Sequence, residues 1–144
     1  MKKTRIFALA MALVLMLSCF IACESKEKIT VTADVKVVDG DGEVLIDTAV
    51  QIEDSNPTVL MAIVQACQDE EIVIETDGKD VTKIGGFEAV DEEDYLYFWD
   101  CTFNHKAIEG KAGDVALTAD QNHVIVYKYA SIKVEAVEDE TEAE

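Results

Sequence analysis

Nine residues, Tyr95–Phe103 (YLYFWDCTF), hold five of the eight aromatic side chains that remain once the first 22 residues are set aside. Tyr95, Tyr97, Trp99 and Phe103 share one parity, so in a strand they project from one face. Such a row suits stacking against a planar ligand or a sugar, and it also suits plain core packing. Asn104 and His105 follow directly and read as a tight turn, because Asn tolerates left-handed backbone geometry. An imidazole at such a turn, His105 or the later His123, could ligate a metal, including the cobalt of a corrinoid. Two isolated histidines without paired spacing read more simply as surface residues. The candidate ligand-binding set is therefore Tyr95, Tyr97, Trp99, Phe103, Asn104 and His105.

Other chemistry is sparse. Asp39, Asp41, Glu43 and Asp47 hint at a calcium loop, but the twelve-residue pattern with its terminal Glu is missing, and a DGDG hairpin turn explains them. No metal site is expected. Cys67 lies on an apolar helix face and Cys101 on the aromatic strand, so the two could face each other across a core. An exported setting permits a disulfide between them; two buried free thiols are equally ordinary. Ser25, Ser55 and Ser131 sit in no nucleophile elbow, and neither HExxH nor a phosphate-cradling glycine loop occurs. Carboxylates are too plentiful for any pair to be informative. An enzyme is not expected.

Composition limits the partners. Twelve basic residues stand against thirty acidic ones, a net charge of −18. Lys2, Lys3 and Arg5 lie in the first 22 residues, leaving nine basic against thirty acidic residues beyond them, a net −21. That field repels nucleic acid and anionic lipid head groups, so nucleic-acid binding is excluded as a function class. Cationic ligands or basic partners remain compatible with it.

The beginning of the chain speaks to location. A basic start precedes the apolar run Ile6–Leu17, which is short for a spanning helix and reads as a secretory signal over residues 1–22. LSCFIAC then gives way to the polar ESKEK. A small residue before Cys at the end of an apolar run resembles a bacterial lipobox, with Ala22-Cys23 favoured over Ser18-Cys19. Cys23 would carry diacylglycerol and fatty acyl chains such as palmitate, anchoring the protein at the extracytoplasmic face of the cell membrane. Residues 23–28 form the acylated Cys and a charged tether.

The elements that must position the candidate residues follow in order. Ile29–Val38 alternates as a strand with one wet face. Asp39–Gly42 is a hairpin turn, and Glu43–Ile52 returns as a second strand. Ser55-Asn56-Pro57-Thr58 opens a helix over Thr58–Glu70, with Asn56 or Thr58 as its cap and Leu60, Ile63, Val64 and Cys67 on one face. Glu71–Glu75 and Val81–Ile84 are short strands. Tyr95–Phe103 should be buried on both faces early and should surface late. Lys106–Asp120 is a loop with a short strand near Val115–Leu117. Asn122–Tyr129 is a central strand, extended by Ile132–Val137. Residues 135–144 form an acidic disordered tail. One helix packed on a mixed sheet is the economical answer, an α+β, β-grasp-like fold over residues 29–134.

VKVVDGDGEVLID, TVLMAI, ETDG, KIGGF, an aromatic strand with Trp99 five residues before Asn104, and a closing VIVYKY occur in that order. Over about Ile29 to Tyr129 the chain resembles bacterial domains of unknown function related to the C-terminal domain of transcobalamin and intrinsic factor. Asn104-His105 stands where that family usually has Asn-Gly, and Gln121-Asn122-His123 where it has Gly-Asp. The resemblance implies a small β-grasp-like domain carried on lipoprotein signals. In the vitamin carriers the related domain closes over one face of cobalamin. The expectation is a non-enzymatic, surface-anchored module that binds a small ligand, with a corrinoid as the sharp version and no resident cofactor. The alternative is an adaptor for an envelope protein, with no small-molecule ligand.

Overall fold

The computed structural model describes residues 26–134. The signal segment, Cys23 with the first two residues of its tether, and the acidic tail lie outside the described residues.

Strand β1 (Ile29–Val38) and β2 (Val44–Asp54) form the first hairpin, in antiparallel register from Ile29 opposite Asp54 to Val38 opposite Val44. Asp39 closes the turn. Its carboxylate oxygen accepts from the backbone N–H groups of Asp41 and Glu43, both at 2.9 Å, so the acidic DGDG stretch is spent on turn chemistry. Helix α1 (Val59–Asp69) starts at Thr58, whose hydroxyl accepts from the Met61 N–H at 3.4 Å. It ends with Glu71 in the left-handed region, at φ 56°, while the Ile72 N–H reaches back to the Cys67 carbonyl at 2.8 Å.

The next segment folds into a small antiparallel sheet, β3 (Ile74–Thr76), β4 (Val81–Ile84) and β5 (Phe87–Glu88). Then β6 (Val90–Asp91) leads into β7 (Tyr95–Phe103), β8 (Lys106–Ala107) and, after a 3-10 turn at Ala112–Asp114, β9 (His123–Lys133). The main sheet runs β2-β1-β9-β7-β6, with β8 added to β7. β9 is central, as its two apolar faces require: parallel to β1 and antiparallel to β7. The fold is thus α+β, mostly strands, with one helix on a mixed sheet.

Strand periodicity decides which side chains meet the helix. Val31, Ala33, Val35 and Val37 of β1, Ile46, Val50 and Ile52 of β2, and Ile125 and Tyr127 of β9 share the inner face and are buried. Val59, Leu60, Ala62, Ile63, Ala66 and Cys67 of α1 cover them. Each such aliphatic side chain contributes about 1.5–3 kcal/mol on full burial. The other face, with Thr30, Thr32, Asp34 and Lys36 on β1, has no covering layer among the described residues.

Two expectations about these elements are corrected. The predicted strand near Val115–Leu117 is a single bridge, Thr58 opposite Ala116, beside the 3-10 turn. The burial gradient along β7 runs opposite to the expected one. Tyr95 is exposed, Leu96–Trp99 are partly buried, and Cys101 is fully buried. The helix sits over β1 and β2, and the core deepens toward the Phe103 end, beyond the reach of a local pattern.

Candidate functional site

The six candidate residues do not converge. β7 rises about 3.3 Å per residue, so Tyr95 and Phe103 stand roughly 26 Å apart at opposite ends of the strand. The set divides into an aromatic ledge at one end and a structural knot at the other.

The ledge is built by cross-strand pairing. Trp99 lies opposite Tyr129 and Tyr97 opposite Ser131, with all inner-face positions on one side. Tyr129 is the hub. Its ring centroid is 5.1 Å from Trp99, 5.2 Å from Phe87 and 6.0 Å from Tyr97, the last pair stacked at 16°. Tyr95 extends the row, 6.1 Å from Tyr97. Two polar ties hold the rings in place. Trp99 Nε1–H donates to the Phe87 carbonyl at 3.2 Å, and the Tyr129 hydroxyl donates to the Glu88 carbonyl at 2.6 Å. Gly40 closes the back, since a Cβ there would stand 3.3 Å from the Tyr129 ring. Desolvation, reinforced by Tyr97, Glu92 and Glu88, raises the Tyr129 phenol above its usual range, so it remains a neutral donor at physiological pH. The outer end is open, with Tyr95 41% exposed and Tyr97 partly so. Tyr129 and Phe87 were missing from the candidate set. Tyr129 was signalled only by its inner-face parity with Tyr127, and Phe87 by nothing beyond the glycines before it.

At the other end, Phe103 stacks on the His123 imidazole with centroids 5.1 Å apart. Asn104 and His105 have φ of 50° and 67°, the tight turn expected of them. The Asn104 side chain is fully engaged, accepting from the Val124 N–H at 2.9 Å and meeting His123 Nδ1 at 3.3 Å. His123 is corrected from a surface residue to a core one, 1% exposed. Its Nε2 lies 3.0 Å from the Thr118 carbonyl and 3.0 Å from the Thr118 N–H. Because the Asn104 carbonyl is taken by Val124, its amide N–H faces Nδ1 as a donor, while Nε2 is engaged by the Thr118 backbone. An imidazole committed on both nitrogens has no lone pair for a metal. His105 is exposed, at the solvent side of the same turn. A hollow of about 430 Å³ beside the turn is lined by Phe103, Asn104, Lys106, Ile108 and Val115, without His105.

Cys67 and Cys101 are both free and buried in this structure. Tyr127, directly opposite Cys101, brings its phenol beside the Cys101 thiol. Burial pushes Cys67 up to about 11 and Cys101 up to about 12, which keeps both as inert thiols. Among the described residues no group of three or more His, Cys, Asp or Glu side chains is placed to hold a metal, and no helix is long and apolar enough to cross a membrane.

Comparison with known proteins adds little. No model of a protein family and no curated protein matches the chain. Among solved structures, a proposed metal-binding protein from Ruminococcus gnavus superposes with a TM-score of 0.45 at 13% identity. The match covers 69% of this chain and 96% of that one, and the likeness is too slight to carry a functional argument.

Proposed function

We propose that the chain is a bacterial lipoprotein, acylated at Cys23 and held at the extracytoplasmic face of the cell membrane, whose domain binds a ligand and catalyses nothing. A β-grasp-like assignment has two supports. The first hairpin forms one edge of the sheet, and the last strand lies centrally and parallel to β1.

The observation that carries the ligand reading is the half-open row Tyr95–Tyr97–Tyr129–Trp99. Four rings locked by cross-strand packing and by bonds to Phe87 and Glu88 present a preorganised apolar rim. Hollows of about 340, 420 and 430 Å³ lie away from this row. The row is a ledge and not an enclosed pocket, so it suits one face of a large flat ligand. A corrinoid is such a ligand, and it is the one that the resemblance to the vitamin carriers implies. His105 and Asn104, at the far end of β7, fall outside this contact.

The test is titration of the full chain in detergent micelles with cobalamin and cobinamide, read by absorbance and calorimetry. Saturable binding at micromolar affinity or tighter, weakened about tenfold or more by Tyr97→Ala, is the expected result; tenfold corresponds to about 1.4 kcal/mol. Neither heat nor spectral change at millimolar ligand would overturn the corrinoid assignment.

A further inference from the structure

The edge of the sheet farthest from the ledge is β2. It pairs only with β1, and among the described residues no backbone group of β2 bonds outside that ladder. In an antiparallel pair alternate residues turn their N–H and C=O groups away from the partner strand. Across the eleven residues of β2 that leaves about five residues with unpaired donors and acceptors along the free side.

Edges of this length are normally blunted by lysine, proline, bulges or a covering element. VLIDTAVQIED has no lysine and no proline. An irregularity in the register occurs only at the turn end, between Val37 and Val38. The helix runs alongside and forms a wall. Ile52, Leu60, Met61 and Val64, with Gln51, Glu53 and Gln65 at the rim, line a mainly apolar hollow of about 340 Å³ between α1 and the β2 edge. A free strand edge beside an apolar helix flank is the arrangement that receives an extended peptide as an added strand, backbone to backbone, with alternate side chains entering the groove.

Charge selects the occupant. Neither β2 nor α1 contains Lys, Arg or His; their charges are Asp47, Glu53, Asp54 and Asp69. Lys36 of β1 reaches Asp47 at 3.7 Å, and among the described residues no ion pair engages Glu53 or Asp54. A second copy would bring the same acidic edge against this one, and the chain's own terminal EDETEAE is acidic too. Both are repelled. A basic segment is attracted.

We infer that the β2 edge and the Leu60–Met61–Val64 flank of α1 form a docking groove for an extended segment of a partner protein, one that alternates apolar residues with Lys or Arg. The apolar residues enter the groove over Met61 and Val64, and the cations, turned to the opposite face, meet Glu53, with Asp54 at the end of the strand adding to the attraction. The groove lies on β2, two strands away from the β9–β7 pair that carries the ledge, so this site stands whether or not the ledge takes a ligand.

The probe is a fluorescent eight-residue peptide of alternating Val and Lys, titrated by anisotropy against the full chain in detergent micelles. A control peptide of equal charge carries Pro in place of Val. The expected result is saturable binding of the Val-Lys peptide, at least tenfold tighter than the Pro-Lys peptide, with new hydrogen-exchange protection in β2. Met61→Lys/Val64→Lys should abolish it, and Glu53→Lys/Asp54→Lys should weaken it at least fivefold. The charge-matched Glu109→Lys/Asp120→Lys variant should change it less than twofold. Circular dichroism confirms that each variant is folded. Equal binding of both peptides, equal loss in both charge variants, protection at β7 or β8 instead of β2, or absence of binding at millimolar peptide would each overturn the proposal.

Discussion

Asn104 Nδ2 donates to His123 Nδ1 across 3.3 Å while the same amide accepts from the Val124 N–H at 2.9 Å. One side chain at a left-handed turn position thus satisfies a buried imidazole and a buried backbone donor. Asn104→Gly keeps the turn geometry and removes both bonds. It should cost about 2–3 kcal/mol, since two buried polar groups lose their partner. Urea denaturation of the two proteins side by side checks this; a change below about 0.5 kcal/mol would mean the knot is not structural.

His105 next to it occupies a position usually given to glycine, with φ at 67° and an exposed side chain. His105→Gly relieves the steric cost of that conformation and should stabilise the domain by about 1 kcal/mol. Thermal melting reads the gain. A loss of stability would show that the imidazole makes a contact this geometry does not contain.

Tyr127 is fully buried, and among the described residues its hydroxyl has no oxygen or nitrogen partner. The Cys101 thiol beside it is a weak one. Burial raises the phenol far above its usual range, so it titrates nowhere near neutrality. Tyr127→Phe removes an unsatisfied polar atom while keeping the ring, and should be neutral or stabilising by up to about 1 kcal/mol. A destabilisation above about 1 kcal/mol would count against the unsatisfied hydroxyl.

The raised Cys67 and Cys101 thiols predict slow alkylation. At pH 8 iodoacetamide should leave both unmodified in the native protein and modify both after unfolding in urea, as read by peptide mapping of each site. Native labelling of either at the rate of a free thiol would show that the site opens readily.

Two loops are clamped by crossed ion pairs, Lys111 with Asp77 and Lys79 with Asp114, both at 2.9 Å. The Lys111 hydrogen bond, helped by the Lys79 and Asp80 backbone N–H groups, holds Asp77 down at about 2, against 3.8 for an ordinary aspartate. A carboxyl depressed in the folded state adds stability above the unfolded value, and that stability is lost as pH falls through the folded one. The clamp should therefore loosen between about pH 4 and pH 2. In Lys111→Ala the acid-side transition should move toward pH 4, as followed by amide signals of Asp77–Asp80. Gly113 makes the same contact from the backbone side. A Cβ there would meet the Lys79 carbonyl oxygen at 2.9 Å, so Gly113→Ala should cost about 1–3 kcal/mol in thermal melts.

Much of the local architecture was legible from residue order. The alternation in Ile29–Val38 marks β1 to the residue, Thr58 caps α1 as a hydroxyl before an apolar periodicity should, and Asn104-His105 turns where it was expected to. These features depend on neighbours a few positions apart, so period and turn chemistry suffice. Tertiary structure alone decided the rest. Which end of β7 is covered depends on where α1 lies over the sheet. His123 enters the core because Asn104 and Thr118 wait there, 19 and 5 residues away. The six candidate residues divide because one strand is too long for both ends to serve one site, and Tyr129 joins the ledge because register places it opposite Trp99. The free edge of β2 follows from β9 inserting beside β1, a pairing across some ninety residues that no local pattern records.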